Sequence, residues 1–221
     1  MQDTVWSRGK AWRIDDEFVL VVSCDDWNRR RVSEVLVVAV EEGHAEDAGN
    51  YAPLISLDGA PMTVYADDIF GVPRDALIGP AFRLDDEAMR DVDDALDRAL
   101  SRHRPPRGSS RPAGHPYPGQ IRFADLDIPG EGPKPVVVVS SEAYGAELSF
   151  ALVMACRVTS QPGHMHDYDV PLQSQVGKVV CSDLRTVRAA DLLERTTAQA
   201  SVTPAERAAI LTKARRVVGL E

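Results

Sequence analysis

The sequence predicts an α+β fold, mainly β, built as two tandem barrel-like units of short strands, each followed by one helix. Three observations predict it. Short β-branched apolar runs recur, as in Val19–Val22, Val136–Val139 and Ala151–Met154, each bounded by polar or glycine residues as buried strands are. Each half of the chain ends in a segment of helical period: Met89, Val92, Leu96 and Leu100 in the first, Ile210, Ala214 and Val217 in the second. The two halves also align with each other, block by block and in the same order.

The elements follow from that alignment. Gly9–Asp16 (GKAWRIDD) faces Gly119–Leu126 (GQIRFADL), both with weak strand alternation. Val19–Asn28 faces Val136–Gly145, Val35–Val40 faces Ala151–Cys156, and Asn50–Leu57 faces Tyr168–Gln175. Ala66–Val72 faces Cys181–Val187, and Leu84–Leu96 faces Val202–Ala214. The offset stays between 110 and 118, and its largest step coincides with a longer loop, DLDIPGEGPKP, in the second half. Six blocks in register point to an internal repeat. Asp85 or Asp86 caps the first helix. Thr203, Pro204 and Glu206 form a capping box for the second. Residues 101–118 hold Pro, Gly, Ser and four arginines, a composition with no core face, and read as a linker between domains 1–100 and 119–221.

Composition narrows the class. With 44% apolar and 27% charged residues in 221, the chain is neither collagenous nor disordered. No apolar run approaches the ~20 residues that cross a bilayer, and no secretory signal is visible, so a cytoplasmic protein is expected. Cys24, Cys156 and Cys181 lack any metal or redox spacing and read as reduced thiols. The net charge of −9 weighs against nucleic acid as a bulk figure, but it is unevenly spread: −12 over residues 1–100, +4 over 101–119 and −1 over 120–221.

The ordered set GQIRFADL (119–126), GEGPKPVVVVSS (130–141), ALVMACRVTSQ (151–161), DVPL (169–172), VVCSDLRTV (179–187) and VTPAER (202–207) resembles the MazF/PemK toxins, the ribonuclease arm of bacterial toxin–antitoxin pairs. The first half resembles that family only through the repeat. The resemblance implies two SH3-like barrels of the type shared with the CcdB gyrase poisons. Family members dimerise, so a tandem copy implies an intrachain pseudo-dimer, with an antitoxin peptide and single-stranded RNA as partners. It implies RNA cleavage without metal or cofactor: the 2′-OH attacks the adjacent phosphate, and the protein holds that phosphate, offsets its charge and moves protons.

The same resemblance carries the site residues. The family's loop arginine falls on Lys134, which keeps the charge but not the planar two-pronged donor. The family's threonine falls on Arg157 by strict count and on Thr159 or Ser160 after a shift of two. Lys134, Arg157 and Thr159 are therefore the catalytic candidates. Glu131, Ser160, Asp183 and Arg185 are the substrate-binding ones. Arg157 has two acids to pair with, Glu131 or Asp183, and Arg185 either meets nucleic acid or locks the Asp183 loop. In the first half Glu17 sits opposite Lys134, Glu41 opposite Arg157 and Phe70 opposite Arg185, so that half reads as structural. Arg29–Arg31 follow two aspartates and read as self-neutralised.

Other chemistry is weaker. Gly163–Asp167 offers two histidines and an aspartate to a metal, without a second cluster. Cys156 and Cys181 lie in apolar strands, where thiols are inert. No phosphate-binding glycine motif is present. A non-catalytic protein-binding module of the same fold, CcdB-like or a regulatory relic, is the competing expectation.

Overall fold

The structure is a computed structural model. It describes residues 6–30, 33–43, 50–57, 59–101, 112, 114–126, 132–148, 151–160, 163, 165–173, 177–193 and 201–220. The chain divides into two compact units, Met1–Arg98 with Arg216–Glu221, and Ala99–Arg215.

The first unit holds an antiparallel sheet of β1 (Lys10–Ile14), β2 (Glu17–Val21), β3 (Glu34–Glu42), β4 (Leu54–Leu57), β5 (Ala60–Pro73) and β6 (Ile78–Arg83), in the order β4-β5-β3-β2-β1-β6. A short helix, α1 (Asp25–Asn28), lies between β2 and β3, and α2 (Asp86–Leu100) follows β6. The second sheet contains β7 (Ile121–Ala124), β8 (Lys134–Val138), β9 (Leu152–Thr159), β10 (Asp169–Pro171) and β11 (Lys178–Arg188), in the order β10-β11-β9-β8-β7. It too has a short helix after its second strand, α3 (Glu142–Glu147), and α4 (Pro204–Val217) lies near the chain's end. The short helices and β6 are absent from the expected plan of strands followed by a single helix. Both short helices are too brief to show a hydrophobic period, and β6 is exposed along most of its length and carries Gly79 and Pro80.

Each sheet curls. After β5 a 3-10 turn, Arg74–Ala76, leads into β6, which pairs with β1 and so stands four places from β5 in the sheet. A flat sheet would separate those strands by ~19 Å. Five residue steps, three of them in a 3-10 turn, reach only about 13 Å. The second sheet closes the same way: after β11 and the turn Ala189–Asp191, Leu193 and Phe123 exchange backbone hydrogen bonds of 2.8 and 3.1 Å.

The interior of each curl is a valine-rich cluster. In the first unit it comprises Trp12, Val19, Val21, Val35, Val37, Val72 and Leu77. In the second it comprises Ala124, Leu126, Val136, Val138, Val153, Ala155 and Leu192, with Val187 against it. Val19 and Val136, Val21 and Val138, Val35 and Val153, and Val72 and Val187 hold the same ladder places, and Leu77 and Leu192 each follow the 3-10 turn of their unit. The ladders also correct one block of the alignment. Val19 pairs with Ala39, and Val136 with Arg157, so the offset between β3 and β9 is 118 rather than 116. Ala39, not Glu41, is the counterpart of Arg157, and Glu41 is the counterpart of Thr159. Uniform runs of valine and alanine hide a two-residue slip, because the slip keeps every side chain on its face.

The helices are capped largely as expected. Asp85 Oδ1 accepts from the N–H groups of Glu87 and Ala88, at 3.1 and 2.8 Å, so Asp85 and not Asp86 is the cap. Val92, Leu96 and Leu100 are fully buried. On α4, Thr203 Oγ1 accepts from Glu206 N at 3.2 Å and Glu206 Oε2 accepts from Thr203 N at 2.7 Å, a reciprocal capping box. Glu206 Oε1 also accepts from Gln173 N at 2.6 Å, tying the chain after β10 to the start of α4. Ile210, Ala214 and Val217 form the buried stripe.

Glu206 serves two backbone donors and Thr203 one. Thr203→Ala is therefore expected to cost about 1 kcal/mol. Glu206→Ala, which strands two donors of a charged acceptor, is expected to cost about 2–3 kcal/mol. Urea unfolding of the two variants checks the order.

Candidate functional site

Side chains on one face of the second sheet fall into three rows. Side chains of directly paired residues share a face, and so do alternate residues along a strand. Val138, Ala155 and Arg185 make one row, Val136, Arg157 and Val180 the next, and Thr159 with Lys178 the outermost. Lys134 lies two residues before Val136, hence on the same face, and begins β8 paired with Ala124. The expected loop position of Lys134 is thus a strand position. The valine cluster fills one end of this face, and Lys134, Arg157, Thr159 and Arg185 ring its rim.

A bulge brings Arg185 there. β11 pairs Val180 with Arg157 and then Leu184 with Cys156, leaving Cys181, Ser182 and Asp183 unopposed. Asp183 is held in this bulge by two arginines. Its Oδ2 lies 2.7 Å from Arg157 Nε and its Oδ1 accepts from Arg185 Nε at 2.8 Å. Arg185 Nη1 also donates to Leu126 O at 3.1 Å. Of the two acids open to Arg157, Asp183 pairs with it, and the other, Glu131, is not among the described residues. Arg185 does lock the Asp183 bulge, while both guanidiniums remain partly exposed, at 32% and 21%. Ser160 is exposed just beyond Thr159. Glu131 lies outside the described residues, as do Arg31, His164 and most of the 101–118 linker. Arg30 pairs with Asp26 at 3.2 Å, as the self-neutralised reading expects.

In the first unit the same bulge recurs: β5 pairs Tyr65 with Ala39 and then Ile69 with Val38. Its rim is different. Glu17 stands for Lys134, Ala39 for Arg157, Glu41 for Thr159, Phe70 for Arg185 and Asp68 for Asp183. The cation positions hold one acid, not two as expected; the second acid stands in the threonine's place. Burial raises the Asp68 carboxyl above its usual range, and Glu17 and Glu41 push it further. Tyr65 is raised through its 2.8 Å hydrogen bond to Glu41 and by burial. Such a rim repels phosphate.

The thiols offer no nucleophile. Cys156 and Cys181 are fully buried, and Cys156 is raised well above the usual thiol value by its hydrogen bond to Cys181 and by burial. Among the described residues no group of three or more His, Cys, Asp or Glu is placed to hold a metal ion. Nor is any of their helices long and apolar enough to cross a membrane. A cavity of about 480 Å³ in the second unit, lined by Tyr117, Ser141, Ser201 and Arg207 among others, contains none of the rim residues.

The PemK-like, MazF-like toxin family of type II toxin–antitoxin systems matches residues 117–218. Residues 117–218 form a PemK/MazF-like toxin domain. Solved structures similar to this MazF-like half include an endoribonuclease in complex with its cognate antitoxin from a Mycobacterial species. It is 28% identical, with 48% of this chain and 97% of that chain covered and a TM-score of 0.41. A Mycobacterial endoribonuclease is 25% identical, covering 48% and 94%, with a TM-score of 0.40. A MazE–MazF structure from Deinococcus radiodurans is 21% identical, covering 48% and 98%, with a TM-score of 0.38. No curated protein matches the chain. Every cation of the rim lies inside the MazF-like match, and the acidic rim lies outside it.

Asp67, beside Asp68 in the first bulge, supplies a test of that unit. Burial raises its carboxyl from 3.8 to about 6, against a backbone hydrogen bond that lowers it; Asp68 adds to the rise. Between those values the folded chain keeps a proton that the unfolded chain has released. Stability therefore falls as pH rises through the window, and the penalty is complete above about 6. Asp67→Asn is expected to stabilise the chain at pH 7 by on the order of 1–3 kcal/mol and to leave it unchanged below pH 4, read from thermal melts at both pH values.

Proposed function

We propose that the chain is a toxin-type endoribonuclease that cleaves single-stranded RNA without metal, with its working site on the MazF-like half. The observation that carries this reading is the gathering of Lys134, Arg157, Arg185 and Thr159 on one rim within the matched residues. The rim's part-exposed cations are Lys134, Arg157 and Arg185, the two arginines sharing Asp183. A bent RNA strand offers its scissile phosphate to it. The 2′-oxygen forms a bond to phosphorus, the bond from phosphorus to the 5′-oxygen breaks, the 2′-OH proton is lost, and the leaving oxygen gains one. The phosphate becomes more negative on the way, and fixed cationic donors favour that state over the ground state. Arg157 and Arg185 serve as the clamp, Lys134 as the added charge, and Thr159 as the hydroxyl donor to a phosphate oxygen. Ser160 and Glu131 are the further substrate contacts of this reading.

We read the two units as copies of one ancestral domain that together stand for a dimer. The matching strand orders, closures, bulges and valine clusters support this. A tethered second unit is present at a local concentration of roughly millimolar, so a fused pair stays paired. The first unit, with its acidic rim, serves as the structural half. An antitoxin peptide is the expected partner, and the cytosol the expected compartment.

A fluorogenic single-stranded RNA incubated with the full chain in EDTA is expected to be cut. Lys134→Ala, Arg157→Ala and Arg185→Ala are each expected to lower kcat/KM by 10²–10³-fold, the scale of losing one preorganised donor. Cleavage that survives all three replacements overturns the site. Cleavage lost in EDTA and restored by a divalent ion overturns the metal-free step.

A further inference from the structure

The cavity of the second unit has no part in the reading above, and the first unit shows what stands in its place there. Paired backbone hydrogen bonds fix the correspondence. Val21 O accepts from Gly9 N at 2.9 Å, and Val138 O from Gly119 N at 2.7 Å. Gly9 O accepts from Leu84 N, and Gly119 O from Val202 N, both at 2.9 Å. Val217 O accepts from Cys24 N where Ala99 O accepts from Ser141 N. Arg8 therefore corresponds to Pro118, Asp25 to Glu142, Val218 to Leu100 and Gly219 to Ser101. On the helices Met89 corresponds to Arg207: a Cβ on Gly9 would lie 3.2 Å from Met89 Cγ, and one on Gly119 would lie 3.2 Å from Arg207 Cδ. Asp93, one turn further along α2, corresponds to Leu211.

In the first unit this place belongs to the Arg8 side chain. Its Nε lies 3.0 Å from Val22 O and 3.1 Å from Val218 O, and Nη2 donates to Val218 O at 2.8 Å. The same guanidinium pairs with Asp93. Arg8 N donates to Asp25 Oδ1 at 2.8 Å. Gly219 lies directly against the guanidinium, since a Cβ on it would stand 2.6 Å from Arg8 Nε. What remains beside Arg8 is a groove of about 320 Å³ with Arg8 in its wall.

In the second unit no arginine enters. Pro118 has neither a long side chain nor an N–H to give Glu142. The cavity of about 480 Å³ opens here, lined by Ser101, Pro118, Glu142 and Arg207, with the hydroxyl residues Tyr117 and Ser201. Ser101 and Glu142 are the counterparts of the two residues that lie against Arg8, Gly219 and Asp25. The charges have changed places as well. The helix no longer supplies an acid, because Leu211 stands for Asp93. It supplies a guanidinium instead, Arg207, whose stem is laid over Gly119. The acid in the lining is Glu142.

We propose that this cavity binds an alkylguanidinium ligand that also carries a carboxylate, either L-arginine or a peptide ending in arginine. The ligand's guanidinium takes the place that Arg8 fills in the first unit, against Leu100 O and the Glu142 carboxylate. Its planar fork serves both acceptors at once, which the point charge of an ammonium does not match. The ligand's carboxylate meets Arg207, so each charge of the lining has its opposite. The hydroxyls of Ser101, Tyr117 and Ser201 complete the polar wall.

The full chain is titrated with L-arginine, argininamide, L-lysine and glycyl-glycyl-arginine, and binding is read from saturation-transfer NMR of the ligand protons. L-arginine is expected to bind with a Kd of about a millimolar, the scale for so few heavy atoms, and L-lysine roughly tenfold more weakly. Glu142→Ala is expected to weaken L-arginine roughly tenfold, the loss of one charge-assisted pair. Arg207→Ala is expected to weaken L-arginine to the same degree and to leave argininamide unchanged. Both residues are exposed, and thermal melts confirm that the variants are folded. Pro118→Arg restores the side chain of the first unit and is expected to abolish binding. Tighter binding of the tripeptide than of L-arginine assigns the ligand to a peptide terminus, and the reverse to the free amino acid. Binding that survives Glu142→Ala unchanged, or L-lysine binding as tightly as L-arginine, overturns the guanidinium site. So does a chain that binds none of the four.

Discussion

The rim depends on an odd-numbered shift in one ladder. Between Val180 and Leu184, β11 slips by three residues against β9. Side chains alternate along a strand, so an odd slip turns the strand over. Val180 before the bulge and Arg185 after it therefore both share the face of Arg157. With no slip, Arg185 would point to the opposite face. Asp183 would lie inside a regular ladder rather than in a loop of chain between two guanidiniums. One local irregularity thus decides which face carries charge and holds that charge in place, since the bulge's own aspartate is the bond between the arginines.

The first unit separates what the fold needs from what the rim adds. It has the same bulge at Tyr65–Ile69, the same closure through a 3-10 turn, and valines at nearly the same ladder places. Packing constrains the inward positions, where a void or an overfilled site costs stability. The rim positions are partly or fully exposed and less constrained, so Glu17, Ala39 and Glu41 stand where the second unit has Lys134, Arg157 and Thr159, while Phe70, in the place of Arg185, packs on the valine cluster. Surface charges are screened beyond about 10 Å at ordinary salt. A phosphate at either rim therefore senses its neighbours within the row far more than the −9 of the whole chain. An acidic bulk and a cationic rim are compatible for that reason.

Much of this was legible in the sequence where the physics is local. The capping box of Thr203 and Glu206 and the helix stripes were read directly, because each depends on spacing within a few residues. The strands were legible as valine runs, and the repeat as their order. What was not legible came from pairing between strands. The slip of two in the β3–β9 alignment went unseen because alanine and valine look alike at either register, and only the ladders show that Glu41 matches Thr159. Asp183 and Glu131 looked equally suitable for Arg157; the bulge, which no periodicity announces, brings Asp183 to it.

The lysine at position 134 is the rim's apparent weakness, and the geometry limits its effect. A guanidinium grips a phosphate through two parallel donors, which an ammonium cannot imitate. Two rim positions already supply guanidiniums, and Asp183 engages each through Nε. Among the described residues the Arg157 side chain makes no other polar contact, and Asp183 sets its direction. The entropy of ordering two long side chains held in this way is spent at folding. Lys134, at the first residue of β8, has only to add charge at the edge of a clamp built by others. That arrangement makes the two arginines and their shared aspartate, rather than the lysine at the start of β8, the ordered part of the rim.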